Sequence, residues 1–420
     1  MSSRFDKISG NSFANYITKW VTLSLIVGGL SGSASAVFLH ALHWAEDTRE
    51  ANSWLIALLP ISGLLIGWMY MQWGKEVVKG NNQIIEEYYE PKKVIPIVMA
   101  PLVFIGTILT HLFGGSAGRE GTAVQMGGAI ADQFAEVFNL DKTDRKILLI
   151  IGVSAGFASV FGTPIAGAIF ALEVLVLSKA RWDAVVPSFL TAFTAGFVCE
   201  LWQVSHVHYT INIVPDMSIP NLFWAILVGL ICGLAAMMFA YATGFWGELF
   251  KKITFTPLRP FVGGVVIAVA VYFISTTKYI GLGLPTIMEA FTEDLNSYDF
   301  FVKILFTSFT LGAGFKGGEV TPLFFIGATL GNALVWFVPL PVALLAGMGF
   351  VAVFSGATNT PIACTVMGME LFGVQGGLYI ALACFSAYLS SGYTGIYSSQ
   401  FVATQKYWLY PKKVFDKKQL

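Results

Sequence analysis

Charged side chains are scarce in this sequence. They make up 12% of its 420 residues, whereas hydrophobic residues make up 55%, and a soluble domain carries about 25% charged residues. The 25 lysines and arginines are balanced by 25 aspartates and glutamates, so the net charge gives no reason to expect a nucleic-acid partner. The composition instead predicts a multi-pass protein of the cell membrane, in contact with membrane lipid.

Residues that usually carry enzyme chemistry are also few. His206 and His208 lie in a polar linker, where we expect them to be solvated, and only His111 lies close enough to a glycine-rich stretch to suggest a proton relay. We find no phosphate-binding loop, zinc motif or nucleophile–base pair. The sequence therefore predicts a protein without metal, cofactor or enzymatic activity. The four cysteines show neither metal nor disulfide spacing and are expected to pack in the interior: Cys199, Cys232, Cys364 and Cys384.

Apolar stretches follow one another along the chain, but some are shorter than the roughly 20 residues of a straight span and others far longer. The 43 glycines add to this irregularity, and interrupted helices survive in a membrane only where they are buried or line a cavity. We therefore expect an all-α membrane domain with tilted and re-entrant helices. The stretch 205–220 is expected to face the outside. The basic clusters are expected to face the cytoplasm; they lie at 75–93, 142–146, 179–181, 251–259 and 412–418.

One sequence pattern occurs in both halves of the chain. Thr163-Pro-Ile-Ala is repeated from Thr360, and a glutamate follows each copy, Glu173 and Glu370. The stretch 118–122 aligns with 317–321, which places Glu120 opposite Glu319. Such halves are often inverted in transporters, although small residues also match by chance. We predict one transport domain, 1–420, divided into a first repeat 18–202, a linker 203–220, a second repeat 221–402 and a short cytoplasmic tail 403–420.

The segment from Gly118 to Thr122 carries the first candidate site. A charge at membrane depth is costly and usually functional, and a helix that begins near Glu120 would offer free amides and a positive dipole end to an anion. A carboxylate can occupy such a site while charged and leave it when protonated. The alternative is an Arg119–Glu120 pair that only stabilises the end of a loop.

A second segment runs from Gly314 to Pro322. Glycines again precede an acidic residue, Glu319, and a threonine, Thr321, whose hydroxyl and neighbouring amides could contact an anion; Pro322 suits the first turn of a helix. Glu319 could handle ions or protons, or it could simply complement the helix dipole.

Two further segments remain ambiguous from spacing alone. Asn81 and Asn82 follow Lys79 and Gly80, where they could form a turn in a cytoplasmic loop or donate amide hydrogens to an anion. Tyr397 could point its hydroxyl into a pore or serve as an interfacial anchor.

Together these segments resemble the CLC family of chloride channels and chloride/proton antiporters, over about residues 75–400. Gly118-Arg-Glu-Gly resembles the family's gating-glutamate signature, G-K/R-E-G-P, with Glu120 as the gating residue. Gly317-Gly-Glu-Val-Thr-Pro resembles its G-G-x-F-x-P element, and Tyr397 stands where the family has its pore tyrosine. The resemblance implies a homodimer with one pathway per subunit, joined through helices around 165–200 and 360–390.

Departures from the family pattern are specific. Thr122 replaces the proline of the gating signature, Val320 the phenylalanine of the second element, and Lys79 the serine that contacts chloride. Val174 follows Glu173 where antiporters carry a second glutamate for the inner proton path. With these substitutions the sequence resembles the CLC-type fluoride/proton antiporters. That resemblance implies fluoride export from a bacterial cytoplasm, driven by inward proton flow.

In this interpretation Glu120 gates the path and carries the proton, and Glu319 handles protons or the anion. The predicted anion-binding residues are Lys79, Gly80, Asn81, Asn82, Gly118, Arg119, Gly121, Thr122, Val320, Thr321 and Tyr397. Lys79 could hold fluoride or extend its ammonium toward water. The alternatives are a chloride/proton antiporter or chloride channel with a divergent pore, and an intramembrane enzyme or receptor without transport.

Overall fold

The computed structural model describes residues 10–175, 181–207 and 209–400. The predicted tail 403–420, the basic cluster 412–418, most of the cluster 179–181 and His208 lie outside these ranges. Within the described residues the chain forms sixteen α-helices: α1 (Gly10–Ala51), α2 (Leu59–Trp73), α3 (Asn81–Tyr89), α4 (Met99–Leu112), α5 (Glu120–Val137), α6 (Lys142–Phe161), α7 (Pro164–Leu175), α8 (Trp182–Leu201), α9 (Ile219–Lys251), α10 (Leu258–Ile274), α11 (Leu284–Glu289), α12 (Asp299–Gly312), α13 (Val320–Ala333), α14 (Val342–Thr358), α15 (Pro361–Phe372) and α16 (Gly377–Ser390).

The helices differ widely in length, as the apolar stretches predict. The longest are α1 with 42 residues and α9 with 33, whereas α7 and α15 have 12 each and α13 has 14. Four helical segments among the described residues are long and apolar enough to cross a membrane. Helices shorter than a full span end inside the protein, where neighbouring elements must satisfy their terminal backbone groups.

Two halves of the described chain have the same order of helices. The first contains α1–α8 and the second α9–α16. Equivalent helices touch across the halves, α2 with α10, α5 with α13 and α7 with α15, as expected of elements beside a two-fold axis. Helix α1 begins near the basic segment 142–146, where Lys19 pairs with Asp144, whereas α9 ends in the basic segment that starts at Lys251. Because basic segments share the cytoplasmic side, the halves run in opposite directions, which confirms the predicted inverted topology.

Helices α6 and α14 form the centre of the molecule. Every residue of α6 from Ile147 to Val160 is buried, and α14 is buried from Leu344 to Thr358. Helix α6 leads directly into α7, and α14 into α15. Large apolar side chains are exposed on α1, α2, α8, α9 and α10. This distribution places lipid-facing helices around a packed interior, in agreement with a membrane-embedded protein.

Candidate functional site

The two glycine-rich loops of the repeats meet at the centre of the protein. Gly118 and Gly318 form an antiparallel bridge in which each amide donates to the other's carbonyl, at 2.6 and 2.7 Å. A side chain at Gly118 would lie 2.8 Å from Pro322 Cδ, and one at Gly318 would lie 2.8 Å from the amide nitrogen of Gly121. Only glycine permits this approach, which brings the starts of α5 and α13 together.

The bridge shows that the predicted alignment of the two repeats was wrong by one residue at this place. Gly118 corresponds to Gly318, so Arg119 corresponds to Glu319, and these two residues occupy the position immediately before α5 and α13. Glu120 is therefore equivalent to Val320, not to Glu319. The two carboxylates thus have different positions relative to their helices.

The carboxylate of Glu120 is held by the opposite half of the chain. The side chain is 1% exposed. One oxygen accepts the hydroxyl of Thr321 at 2.5 Å, and the other accepts the amides of Thr321 at 3.0 Å and of Arg119 at 3.2 Å. The Nε atom of Arg119 lies 3.5 Å from the same carboxylate. A negative group therefore sits at the positive end of the α13 dipole.

The start of a third helix, α3, lies beside the first turns of α5. Gly80, with φ of 56°, lies in the left-handed region, and α3 begins at the next residue, Asn81. A side chain at Gly80 would lie 2.9 Å from the Gln125 amide oxygen, and the Asn81 amide nitrogen lies 2.9 Å from where a Cβ of Gly121 would stand. The turn thus ends at Gly80, and Asn81 and Asn82 begin a polar helix packed against α5 instead of forming a turn themselves.

A small cavity lies beside this helix start, toward the cytoplasmic side. It is lined by Asn81 and Ile84 of α3, Val124 of α5, Val174 of α7 and Tyr397, among others. Apart from Asn81 and Tyr397 these residues are apolar.

Tyr397 is 7% exposed. Its side chain lines the same cavity as Asn81. The structure therefore places the predicted pore tyrosine beside the start of α3.

Lys79 and Asn82 belong to the edge of the site. The ammonium of Lys79 pairs with Glu86 at 2.7 Å, with 60% and 42% of the two side chains exposed. The Oδ1 atom of Asn82 accepts the amide of Ser399 at 3.0 Å, and Ser399 donates its hydroxyl to Glu86 at 2.9 Å. Of the two possibilities for Lys79, the structure favours an ammonium that extends to water, while Asn82 anchors the segment that carries Tyr397.

Thr122 and Ser116 use their hydroxyls in helix packing. The hydroxyl of Thr122 bonds that of Thr107 on α4 at 2.7 Å, and the hydroxyl of Ser116 bonds that of Thr307 on α12 at 2.8 Å. These contacts hold the segment 116–122 between α4 and α12. Neither hydroxyl contacts the Glu120 carboxylate.

A second cavity lies on the other side of Glu120. Its lining includes Arg119, Glu120, Thr321, His206 and Tyr209. Because His206 and Tyr209 belong to the linker between α8 and α9, this cavity faces the side opposite the basic segments. The prediction that His206 is a solvated linker residue was wrong: it is partly buried and lines the cavity above the carboxylate.

The three helix starts are chemically suited to a small anion. Backbone amides and positive dipole ends at α3, α5 and α13 favour negative charge without any metal or cofactor. In this structure the Glu120 carboxylate occupies the donors of α13. One cavity is lined by Glu120 itself, and the other by Asn81 of α3 and Tyr397.

Comparison with known proteins agrees with this arrangement. Residues 62–392, well over half of the chain, match the protein family described as "Voltage gated chloride channel". The chain belongs to the CLC family. The resemblance noted in the sequence is thereby confirmed, and the protein is a membrane transporter, not an enzyme.

Two CLC relatives illustrate the range of the family. A "Chloride/fluoride channel protein" of Pseudomonas syringae pv. tomato is 50% identical over 412 residues, which cover 96% of this chain and 91% of the relative. An "H(+)/Cl(-) exchange transporter" of Vibrio cholerae is 27% identical over 385 residues, 83% of this chain and 81% of that protein.

Solved CLC structures have the same fold. A "CLC-type fluoride/proton antiporter" superposes with a TM-score of 0.88 at 36% identity, covering 91% of this chain and 98% of the other. A "slow cyanobacterial Cl-/H+ antiporter" gives a TM-score of 0.77 at 19% identity and covers 91% of this chain and 96% of its own.

Sequence reasoning overlooked Gln125 and wrongly predicted that His206 is solvated. Gln125 packs its amide against Gly80 and donates to the carbonyl of Gly121 at 3.1 Å. A glutamine one helical turn after Gly121, within the otherwise apolar stretch 123–131, was a usable signal. His206 gave no such signal, because its position over Glu120 depends on the path of the linker.

Proposed function

We propose that this CLC protein is a fluoride/proton antiporter that exports fluoride from the cytoplasm by using inward proton flow. The Pseudomonas relative, named a chloride/fluoride channel protein, and the fluoride/proton antiporter structure at 36% identity support fluoride as the substrate. We further propose a homodimer in a bacterial plasma membrane, joined through α7, α8, α15 and α16.

One observation carries the mechanism: the Glu120 carboxylate binds the donors that an anion would use. The amide and hydroxyl of Thr321 both donate to it. Charged, the side chain competes with the anion for the start of α13. Protonated, it loses its electrostatic attraction to those donors and can leave, so that proton uptake and anion binding are linked at one position.

The donors suit fluoride. Fluoride is small and strongly hydrated, so a binding site must replace its water with strong donors, and hydrogen bonds to a charged acceptor are about twice as strong as neutral ones. The Thr321 hydroxyl and amide, the Asn81 amide and the Tyr397 hydroxyl are such donors around the path. A protonated carboxyl of Glu120 or Glu319 would be a further donor to fluoride.

Flux through liposomes tests the proposal. Purified protein is reconstituted, the vesicles are loaded with fluoride, and fluoride efflux and proton uptake are recorded with an electrode and a pH dye. We expect fluoride efflux to drive protons inward against their gradient and chloride to move far more slowly. Equal rates for the two anions would contradict selectivity for fluoride and favour the alternative of a chloride/proton antiporter or chloride channel. Absence of any anion flux would support a function other than transport.

Glu120→Gln tests the proton carrier. The amide cannot exchange a proton, so we expect fluoride-driven proton uptake to disappear. Glu136→Gln, an exposed substitution on the same helix α5, should keep normal coupling. Proton uptake that persists in Glu120→Gln would exclude Glu120 as the carrier.

A further inference from the structure

We propose that His206 passes protons from the outer solution to Glu120. This inference rests on the proposed role of Glu120 as a proton carrier. In the step, a protonated imidazole gives its proton through water in the cavity to the Glu120 carboxylate. The products are a neutral imidazole and a neutral carboxylic acid, and the outer solution then protonates the imidazole again.

The first support is the cavity that His206 and Glu120 share. Its volume of about 30 Å³ exceeds what one water needs, roughly 10–15 Å³. The cavity lies on the linker side of Glu120, from which protons arrive if the proposed direction is correct. Water can therefore occupy the cavity that both side chains line.

The second support is the position of the imidazole. A Cβ added to Gly162, in the turn between α6 and α7, would lie 2.7 Å from His206 Cδ2. The ring thus rests against the ends of two helices and is partly buried. A histidine that was only a solvated linker residue would not line the cavity over a buried carboxylate.

The third support is the chemistry of the other polar groups. The charged and titratable groups that line the cavity with His206 are Arg119, immediately before α5, Glu120 of α5 and Tyr209 of the linker, while α6, α11, α13, α14 and α15 contribute Thr321 and apolar side chains. Arginine does not release its proton in proteins, and the Thr321 hydroxyl already donates to Glu120.

Tyr209 is packed among aromatic rings, with its centroid 5.2 Å from that of Phe291, and phenols titrate near pH 10. Imidazole normally changes its charge between about pH 5 and 8. Among the described lining residues, His206 is therefore the group best suited to take protons from neutral solution.

The test compares His206→Gln with His43→Gln in the liposome assay. His43 is a matched control, because it is near the end of α1 on the same side, 80% exposed and paired with Asp47 at 3.4 Å, away from the cavity. We expect His206→Gln to slow fluoride-driven proton uptake severalfold at neutral external pH. The loss should shrink at acidic external pH, where hydronium reaches Glu120 directly, and His43→Gln should match the wild type.

Chemical rescue separates proton transfer from a structural role. Imidazole added outside the vesicles should restore the rate of His206→Gln, and the same addition to the wild type and His43→Gln corrects for its buffering. An unchanged rate in His206→Gln, or a loss that is equal at every external pH and not rescued, would overturn the inference and leave the antiport function intact. Absence of coupled proton uptake in the wild type would instead overturn the antiport function.

Discussion

Glu173 and Glu370 each accept hydrogen bonds from the first turn of a helix in the opposite repeat. The carboxylate of Glu173 accepts two backbone amides of α15, at 3.1 and 2.7 Å, and that of Glu370 accepts two backbone amides of α7, at 3.0 and 2.7 Å. Free amides at a helix start need acceptors, above all where water is excluded. The reciprocal exchange therefore joins the repeats across their two-fold relationship.

Glu173 and Glu370 are predicted to stabilise the fold rather than carry protons. Removal of either carboxylate leaves two amides without acceptors, so Glu173→Ala and Glu370→Ala should each lower the free energy of unfolding by about 1 kcal/mol, as loss of a helix cap does. Thermal unfolding in detergent measures this loss. Glu200→Ala, an exposed substitution on α8, is the control.

The number of protons moved per fluoride by Glu173→Gln is a separate measurement. We expect each transported fluoride to take the same number of protons as in the wild type, because Glu173 acts as a cap. Uncoupled fluoride flux in a well-folded Glu173→Gln protein would show that this carboxylate belongs to the proton path.

Gly118→Ala is expected to abolish transport with the helices still formed. The added methyl would lie 2.8 Å from Pro322 Cδ and 3.1 Å from the Glu120 Oε2 atom, so the bridge to Gly318 or the carboxylate must move. Fluoride flux and circular dichroism measure the two effects. Gly29→Ala is a matched control, since a Cβ there meets nothing within 4 Å and alanine favours a helix. Normal flux in Gly118→Ala would show that the close approach is dispensable.

Much of the architecture could be predicted from the sequence because membrane burial constrains composition strongly. Irregular apolar stretches and repeated glycines indicated broken helices, and Thr-Pro-Ile-Ala, present twice, indicated two repeats. The Gly118 and Gly318 segments were recognisable since glycine next to an acidic residue at a helix start is a local pattern. The structure brings these segments together, as a site between the repeats requires.

Other features depend on contacts between distant segments. The one-residue error in repeat alignment arose because Gly317 and Gly318 are both glycine, and only the backbone bridge tells which of them pairs with Gly118. Helix α3 is short and polar, so its sequence resembles a turn until α5 is packed against it. The position of His206 depends on the linker, which has no periodic pattern.

Lys79→Gln is expected to have a small effect on fluoride flux. Its ion pair with Glu86 is exposed, and such pairs contribute about 0–1 kcal/mol. We therefore expect fluoride flux and selectivity over chloride close to those of the wild type. Glu86→Gln should behave similarly, apart from a weaker hold on Ser399. A large loss of fluoride selectivity in Lys79→Gln would place the ammonium in the anion path.

Thr321 tests whether the hydroxyl that holds Glu120 also serves the anion. Thr321→Val removes the donor at 2.5 Å and keeps the shape, while Thr321→Ser keeps the donor. A hydrogen bond to a charged group is worth about 1.5–3 kcal/mol, so Thr321→Val should lower fluoride flux on the order of tenfold or more and Thr321→Ser much less. The backbone amide of residue 321 remains in both variants and should preserve residual binding. Equal flux in the two variants would mean that the α13 amide and dipole alone hold the anion, with no part for the hydroxyl.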